Sequence, residues 1–145
     1  MTNMKKEKSC GAVIYKVKDG QIYYLLSKMG YGHVSLSKGH VELNETEEET
    51  AQREILEETS LKPIIDTSFR KVISYSPIEG VMKDVIFFVA EEKEDKIPKD
   101  FHDKEVVGFY WLIYIDALHT LTFKADQEVL TSANDFIKEK TYGKL

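Results

Sequence analysis

The chain has 145 residues, with 20 Lys and Arg against 25 Asp and Glu and a formal net charge of −5. That length suits one domain spanning residues 1–145 around one sizeable core, and its mixed charge and ordinary apolar content exclude a disordered chain. The negative balance argues against broad nucleic-acid or membrane binding, but leaves room for a small polyphosphate bound through metal ions. No apolar run approaches the roughly 20 residues that span a bilayer. Met1 to Lys8 is polar and basic and lacks a signal-peptide apolar stretch, so the expected compartment is the cytoplasm.

Taken in chain order, Ser9 to Val17 is β-rich and alternating and reads as a strand. The single cysteine, Cys10, adjoins that pattern and reads as a buried, inert thiol. Asp19-Gly20 marks a turn, and Gln21 to Lys28 is the returning arm of a hairpin. Ile22, Tyr24 and Leu26 share one face of it, and Tyr23 and Leu25 the other. Met29 to His33 reads as a glycine-containing loop, followed by a short strand near Val34 to Leu36 and a second glycine-containing loop, Ser37-Lys38-Gly39-His40.

Thr46 to Thr59 carries strong helix formers and no Gly or Pro, and Thr46 with Glu49 fits a capping box. Phe69 to Tyr75 and Val81 to Ala90 read as strands joined by a turn holding Pro77 and Gly80. Glu91 to Asp103 reads as a charged, exposed loop, and Val106 to Tyr114 as a further strand carrying Trp111. Ala125 to Lys140 reads as a final helix with Val129, Ala133, Phe136 and Ile137 as its apolar stripe. Strands with a central and a terminal helix predict an α/β/α sandwich around a mixed β-sheet.

The middle helix carries the chemistry. Glu54 and Glu58 are four apart and share a face, Glu57 borders it, and Arg53 is placed to hold Glu57. Like charges so placed repel one another. Hard divalent cations such as Mg²⁺ or Mn²⁺ prefer such oxygen ligands and would turn the repulsion into binding. A backbone carbonyl of the Lys38-Gly39 loop is well placed to join that shell. The bland alternative is a solvated acidic face.

From Gly39 through Glu45, Arg53, Glu54, Ile55, Glu57 and Glu58 to Leu61, these offsets resemble the Nudix box, Gly-x5-Glu-x7-Arg-Glu-U-x-Glu-Glu-x-Gly-U, where U is a bulky aliphatic residue. Ser60 stands where the family normally has Gly, at a helix end that suits a left-handed backbone. The resemblance implies the Nudix fold and metal-dependent cleavage of a diphosphate linkage in a nucleotide-type substrate. It implies that Glu54 and Glu58 ligate metal, that Glu57 binds metal or water, and that the Lys38 or Gly39 carbonyl completes the shell. Arg53 would orient a glutamate, and the general base would be Glu54 or, second, Glu57.

Ser37-Lys38-Gly39-His40-Val41-Glu42 is similar to a stretch of the asymmetric diadenosine tetraphosphate hydrolases, which split their substrate into ATP and AMP. That resemblance implies substrate contacts from Lys38, His40 and His33, a phosphate-binding Lys83, and a further metal-binding glutamate at Glu105, six residues before Trp111. It also implies stacking of adenine between Phe87 and Phe136. Val34, Leu36 and Ser37 depart from the subfamily's usual Trp and prolines. Alternatives are a Nudix pyrophosphatase acting on nucleoside triphosphates or RNA 5′ ends, a non-catalytic nucleotide-binding module, and a generic acidic interaction protein. RNA use calls for a basic channel, and no basic cluster is evident.

Overall fold

The computed structural model describes residues 4–98 and 105–143. Seven strands form one mixed sheet: β1 (Lys5–Lys18), β2 (Gln21–Met29), β3 (Val34–Ser35), β4 (Ser37–His40), β5 (Ile64–Tyr75), β6 (Val81–Glu91) and β7 (Val106–Ile113). Its helices are α1 (Glu47–Thr59), α2 (Tyr114–Thr120) and α3 (Lys124–Tyr142). The path β3-β2-β1-β6-β5 runs across the sheet, β4 adds to β1, and β7 adds to β2. Among the described residues only the β1–β6 pairing is parallel.

Alternation of side chains sorts the central strands into two cores. Val13, Tyr15, Tyr24, Leu26, Val85, Phe87 and Val89 face α2 and α3, where Val129, Leu130, Ala133 and Ile137 meet them. Cys10, Ala12, Ile14, Leu25, Ile86, Phe88 and Ala90 face the other way, against Ala51 and Ile55 of α1. A strand covered on both faces must be apolar at nearly every position, and Val85–Ala90 is. The result is the expected α/β/α sandwich. Cys10 is fully buried, and burial pushes its thiol up to about 11, consistent with an inert side chain.

Several elements differ from the sequence expectation. Ser37–His40 is a strand rather than a loop, paired antiparallel with Ser9–Ala12 of β1. The approach is close enough that a Cβ on Gly11 would overlap the Ser37 carbonyl oxygen, so only glycine fits. β5 starts at Ile64, before a register irregularity between Asp66 and Lys71, rather than at Phe69. The strand expected to reach Tyr114 ends at Ile113, and α2 follows without a side-chain cap. The charged stretch after β6 opens on a buried residue, Glu92, which accepts the backbone N–H of Glu94; residues 99–103 of that expected loop lie outside the described residues. No helix among the described residues is long and apolar enough to cross a membrane.

Candidate active site

Helix α1 is fixed before any catalytic side chain is considered. Thr46 accepts the N–H of Glu49, and the Glu49 carboxylate accepts the N–H of Thr46, closing the capping box. Glu47 is held by Arg70 at 2.9 Å and Lys8 at 2.6 Å, which keep its carboxyl down at about 2. Ala51 and Ile55 anchor the opposite face in the core. Ser60 ends the helix with φ 66°, the left-handed conformation for which glycine is suited.

One guanidinium organises the acids. Arg53 donates to Glu45 at 2.6 and 3.1 Å, to Glu54 at 2.8 Å, to Glu57 at 3.2 Å and to the His40 carbonyl at 2.9 Å. It thereby ties α1 to the end of β4. The Arg53 hydrogen bond, with a backbone N–H from Glu42, holds the Glu45 carboxyl down at about 2. Glu54 behaves oppositely: burial raises its pKa, and the Arg53 hydrogen bond only partly counters this. Gly39 lies directly against the Glu54 carboxylate, where a Cβ would overlap its Cδ and both oxygens.

A cleft of about 560 Å³ opens beside Gly39, lined by Glu42, Glu54, Glu58, Glu105, Lys38, His40 and Lys83 among others. Ser9 also lines it, and its buried hydroxyl has no hydrogen-bond partner among the described residues. Glu105 reaches this wall because its carbonyl accepts the Gly30 N–H at 2.7 Å, pinning the start of β7 to the loop after β2. Burial, and next the charge of Lys38, lower the pKa of Lys83. Among the described residues no three His, Cys, Asp or Glu side chains are gathered closely enough to hold a metal ion by themselves. The carboxylates instead line an open wall. The fit to a hard divalent cation rests on the oxygen donor set, the side-chain-free cradle at Gly39 and the unpartnered Ser9 hydroxyl.

A second hollow of about 410 Å³ adjoins the cleft, sharing Met29, Tyr31, Ser35 and Lys38 with it. Its remaining lining is His33, Ile73, Tyr75, Phe123, Ala125 and Asp126. His33 makes edge-on ring contacts with Tyr31 at 5.3 Å and Phe123 at 4.8 Å. An aromatic slot thus opens into a charged cleft.

The fold brings together most of the residues singled out from sequence. Glu54, Glu58, Glu105, Lys38, Gly39, His40 and Lys83 share the cleft, and His33 sits in the adjoining slot. Glu57 is not among the cleft's lining residues; its side chain is 58 % exposed and turned to Arg53. Phe87 is fully buried in the α3-side core and is closed to a ligand. Phe136 is half-buried and tilted against Phe69 at 5.6 Å, and is not among the slot's lining residues. The slot's own rings, Tyr31, Tyr75 and Phe123, were not anticipated as contacts, nor was Asp126. Tyr31, two residues before His33 in an expected loop, and Phe123, at the start of the expected last helix, are the signals the sequence carries.

Comparison with known proteins agrees with this arrangement. The model of the NUDIX domain matches residues 6–132. The asymmetrical bis(5′-nucleosyl)-tetraphosphatase of Sus scrofa is 30 % identical over 141 residues, covering 90 % of this chain and 95 % of that protein. The Mus musculus counterpart is 28 % identical over the same shares. Among solved structures, a binary complex of the C. elegans Ap4A hydrolase superposes with a TM-score of 0.81 at 25 % identity, covering 90 % of this chain and 97 % of that one.

Proposed function

The chain belongs to the Nudix family and is a Nudix pyrophosphohydrolase, and from that premise we propose that it hydrolyses diadenosine tetraphosphate asymmetrically, to ATP and AMP, with Mg²⁺ or Mn²⁺. The observation that carries this reading is the adjacency of an aromatic slot to a cleft bearing both carboxylates and lysines. A dinucleoside polyphosphate needs both halves, a flat apolar seat for one base and a charged trough for the phosphate chain. The relatives named as tetraphosphatases support the substrate class.

Glu54, Glu58 and Glu105, with a carbonyl of Lys38 or Gly39, would hold the cation. When bound, it neutralises phosphate charge and lowers the pKa of a coordinated water. The protein's own groups do the rest. Lys38 and Lys83 line the same cleft as the carboxylates and bind phosphate oxygens as point charges. Arg53 and Gly39 fix the position of the Glu54 carboxylate. Glu54 is the proton acceptor for the attacking water. Glu57, outside the cleft, serves by holding Arg53.

The test is hydrolysis of diadenosine tetraphosphate with Mg²⁺, with products separated by ion exchange and Glu58→Gln as control. ATP and AMP in equal amounts from the wild type, and a folded but silent variant, is the expected result. Two ADP, or cleavage of nucleoside triphosphates alone, would refute the asymmetric reading.

A further inference from the structure

The aromatic slot is not uniformly apolar: Asp126, on the first turn of α3, is among its lining residues although only 4 % of its surface is exposed. An acid in a first helical turn is ordinarily exposed and serves the helix dipole. Here one carboxyl oxygen, Oδ2, accepts the Leu36 N–H at 3.4 Å, a long bond, and among the described residues this is its one hydrogen bond. Its charge acts on two other members of the lining, the Tyr75 hydroxyl and Lys38. The carboxyl group therefore sits among the slot's walls rather than in the core behind them. A carboxyl group with one long hydrogen bond at the wall of an apolar slot gains most when a ligand supplies a further donor.

We infer that Asp126 reads the edge of the base in this slot, its Oδ1 accepting an N–H from the 6-amino group of a purine. The inference rests on the proposed nucleotide substrate and deepens it, from a base that stacks to a base that is chosen. Tyr31, Tyr75 and Phe123 supply stacking, which any base satisfies equally. Only a polar group at the edge separates one purine from another, and a slot built to bond a donor rejects a ligand that lacks it. A 6-oxo purine in the same pose would set its carbonyl oxygen against a carboxylate oxygen.

The experiment compares dinucleoside tetraphosphates carrying adenine, hypoxanthine or unsubstituted purine, by kcat/KM with Mg²⁺ and by calorimetric binding. Wild type is expected to favour adenine over both by roughly tenfold or more. In Asp126→Asn the amide oxygen takes the Leu36 N–H and the NH₂ faces the slot, so the hypoxanthine-to-adenine ratio should rise by a similar factor. Asp126→Leu should bring all three within about twofold. Each ratio is taken on one protein preparation, so partial unfolding of a variant does not change it. Base ratios that survive both substitutions would overturn the inference. So would Phe123→Ala or Tyr75→Ala leaving adenine binding as it is, since the slot would then not be the base site. Failure of the proposed function looks different: wild type would hydrolyse none of the three, and the binding ratios would still decide the role of Asp126.

Discussion

The contact between Gly39 and Glu54 allows position and presence of a carboxylate to be separated by one methyl group. In Gly39→Ala the new Cβ falls on the Glu54 carboxyl group, the far end of a flexible side chain, so Glu54 moves and the backbone stays. Gly39 does not have a positive φ, so alanine brings no backbone strain there. The displaced carboxylate gives up the 2.8 Å bond from Arg53, a charge-assisted contact worth about 1.5–3 kcal/mol. Arg53 keeps Glu45, Glu57 and the His40 carbonyl. Two effects offset the loss. Glu54 is released from a burial that disfavours its charge. Replacing glycine also restricts the unfolded chain, by about 0.4–1 kcal/mol.

The net change is expected within about 1 kcal/mol, or roughly 3 °C in Tm for a chain of this size. Activity should respond far more, since an error of about 1 Å at a reacting group costs on the order of 100-fold. The assay pairs thermal melting with metal-dependent hydrolysis for Gly39→Ala, Glu54→Gln and the double variant. If Gly39→Ala acts through Glu54, the double variant is no worse than Glu54→Gln. Undiminished hydrolysis by Gly39→Ala, or losses that simply add in the double variant, would refute the reasoning.

At Gly11 the same substitution should act on the fold instead. A Cβ there meets the Ser37 carbonyl and Lys38 Cα, backbone that cannot step aside, so Gly11→Ala should cost about 1–3 kcal/mol or more and lower Tm by roughly 5 °C; a melt unchanged within a degree would show that β4 has room. Ser60→Gly removes a left-handed serine at about 1–2 kcal/mol while freeing the unfolded chain by about 0.4–1 kcal/mol, so Tm should rise slightly with turnover unaltered, and a fall would contradict it. Tyr24 donates to Asn134 Oδ1 at 2.7 Å in the core, and Tyr24→Phe should cost about 1–2 kcal/mol by denaturant melts, less when Asn134→Leu removes the stranded partner too. Because Arg70 and Lys8 depress the Glu47 carboxyl in the folded state, its stabilisation is present above the unfolded value of about 4.5 and is lost as pH falls toward about 2. Arg70→Ala should flatten the decline of stability over that window, and an unchanged acid limb would show that the pair contributes nothing.

Much of this fold was legible because its signals are local. Thr46 and Glu49 announce the start of α1 by their own hydrogen bonds, β1 announces itself by its β-rich residues, and β6 by an unbroken apolar run. What was hidden depends on partners distant in sequence. Ser37–His40 has no strand-like alternation and becomes a strand only because Gly11 leaves the edge of β1 open to it. Parity along β6 did carry the fate of Phe87: it shares a face with Val85 and Val89, and that face is core. Helical geometry likewise separates the glutamates. At about 100° per residue, Glu58 lies about 40° from Glu54 to one side and Glu57 about 60° to the other, toward Arg53. Asp126 could not be found this way, since a first-turn acid and a slot-lining acid look alike until Leu36 and Tyr75 close around it.

The crowding of acids on α1 makes physical sense once each is assigned its counter-charge. Glu49 spends its carboxylate on the helix N-terminus, and Glu47 on Lys8 and Arg70 from neighbouring strands. Glu45 takes the closest of Arg53's contacts and Glu57 a more distant one. These groups stabilise the helix and its seat on the sheet with protein cations already present, so they do not call for a metal. Glu54 and Glu58 lie where the surface turns into the cleft, and Glu105 approaches from another element. Arg53 is half-buried between the two sets, neutralising the scaffold acids while fixing one oxygen of Glu54 at the cleft wall. On the proposed function, the acids of the cleft wall lie on the side where a divalent cation and a polyphosphate would meet them. Replacing Arg53 would disturb both sets at once, whereas Gly39 touches only the second, and that is why the smaller substitution is the sharper probe.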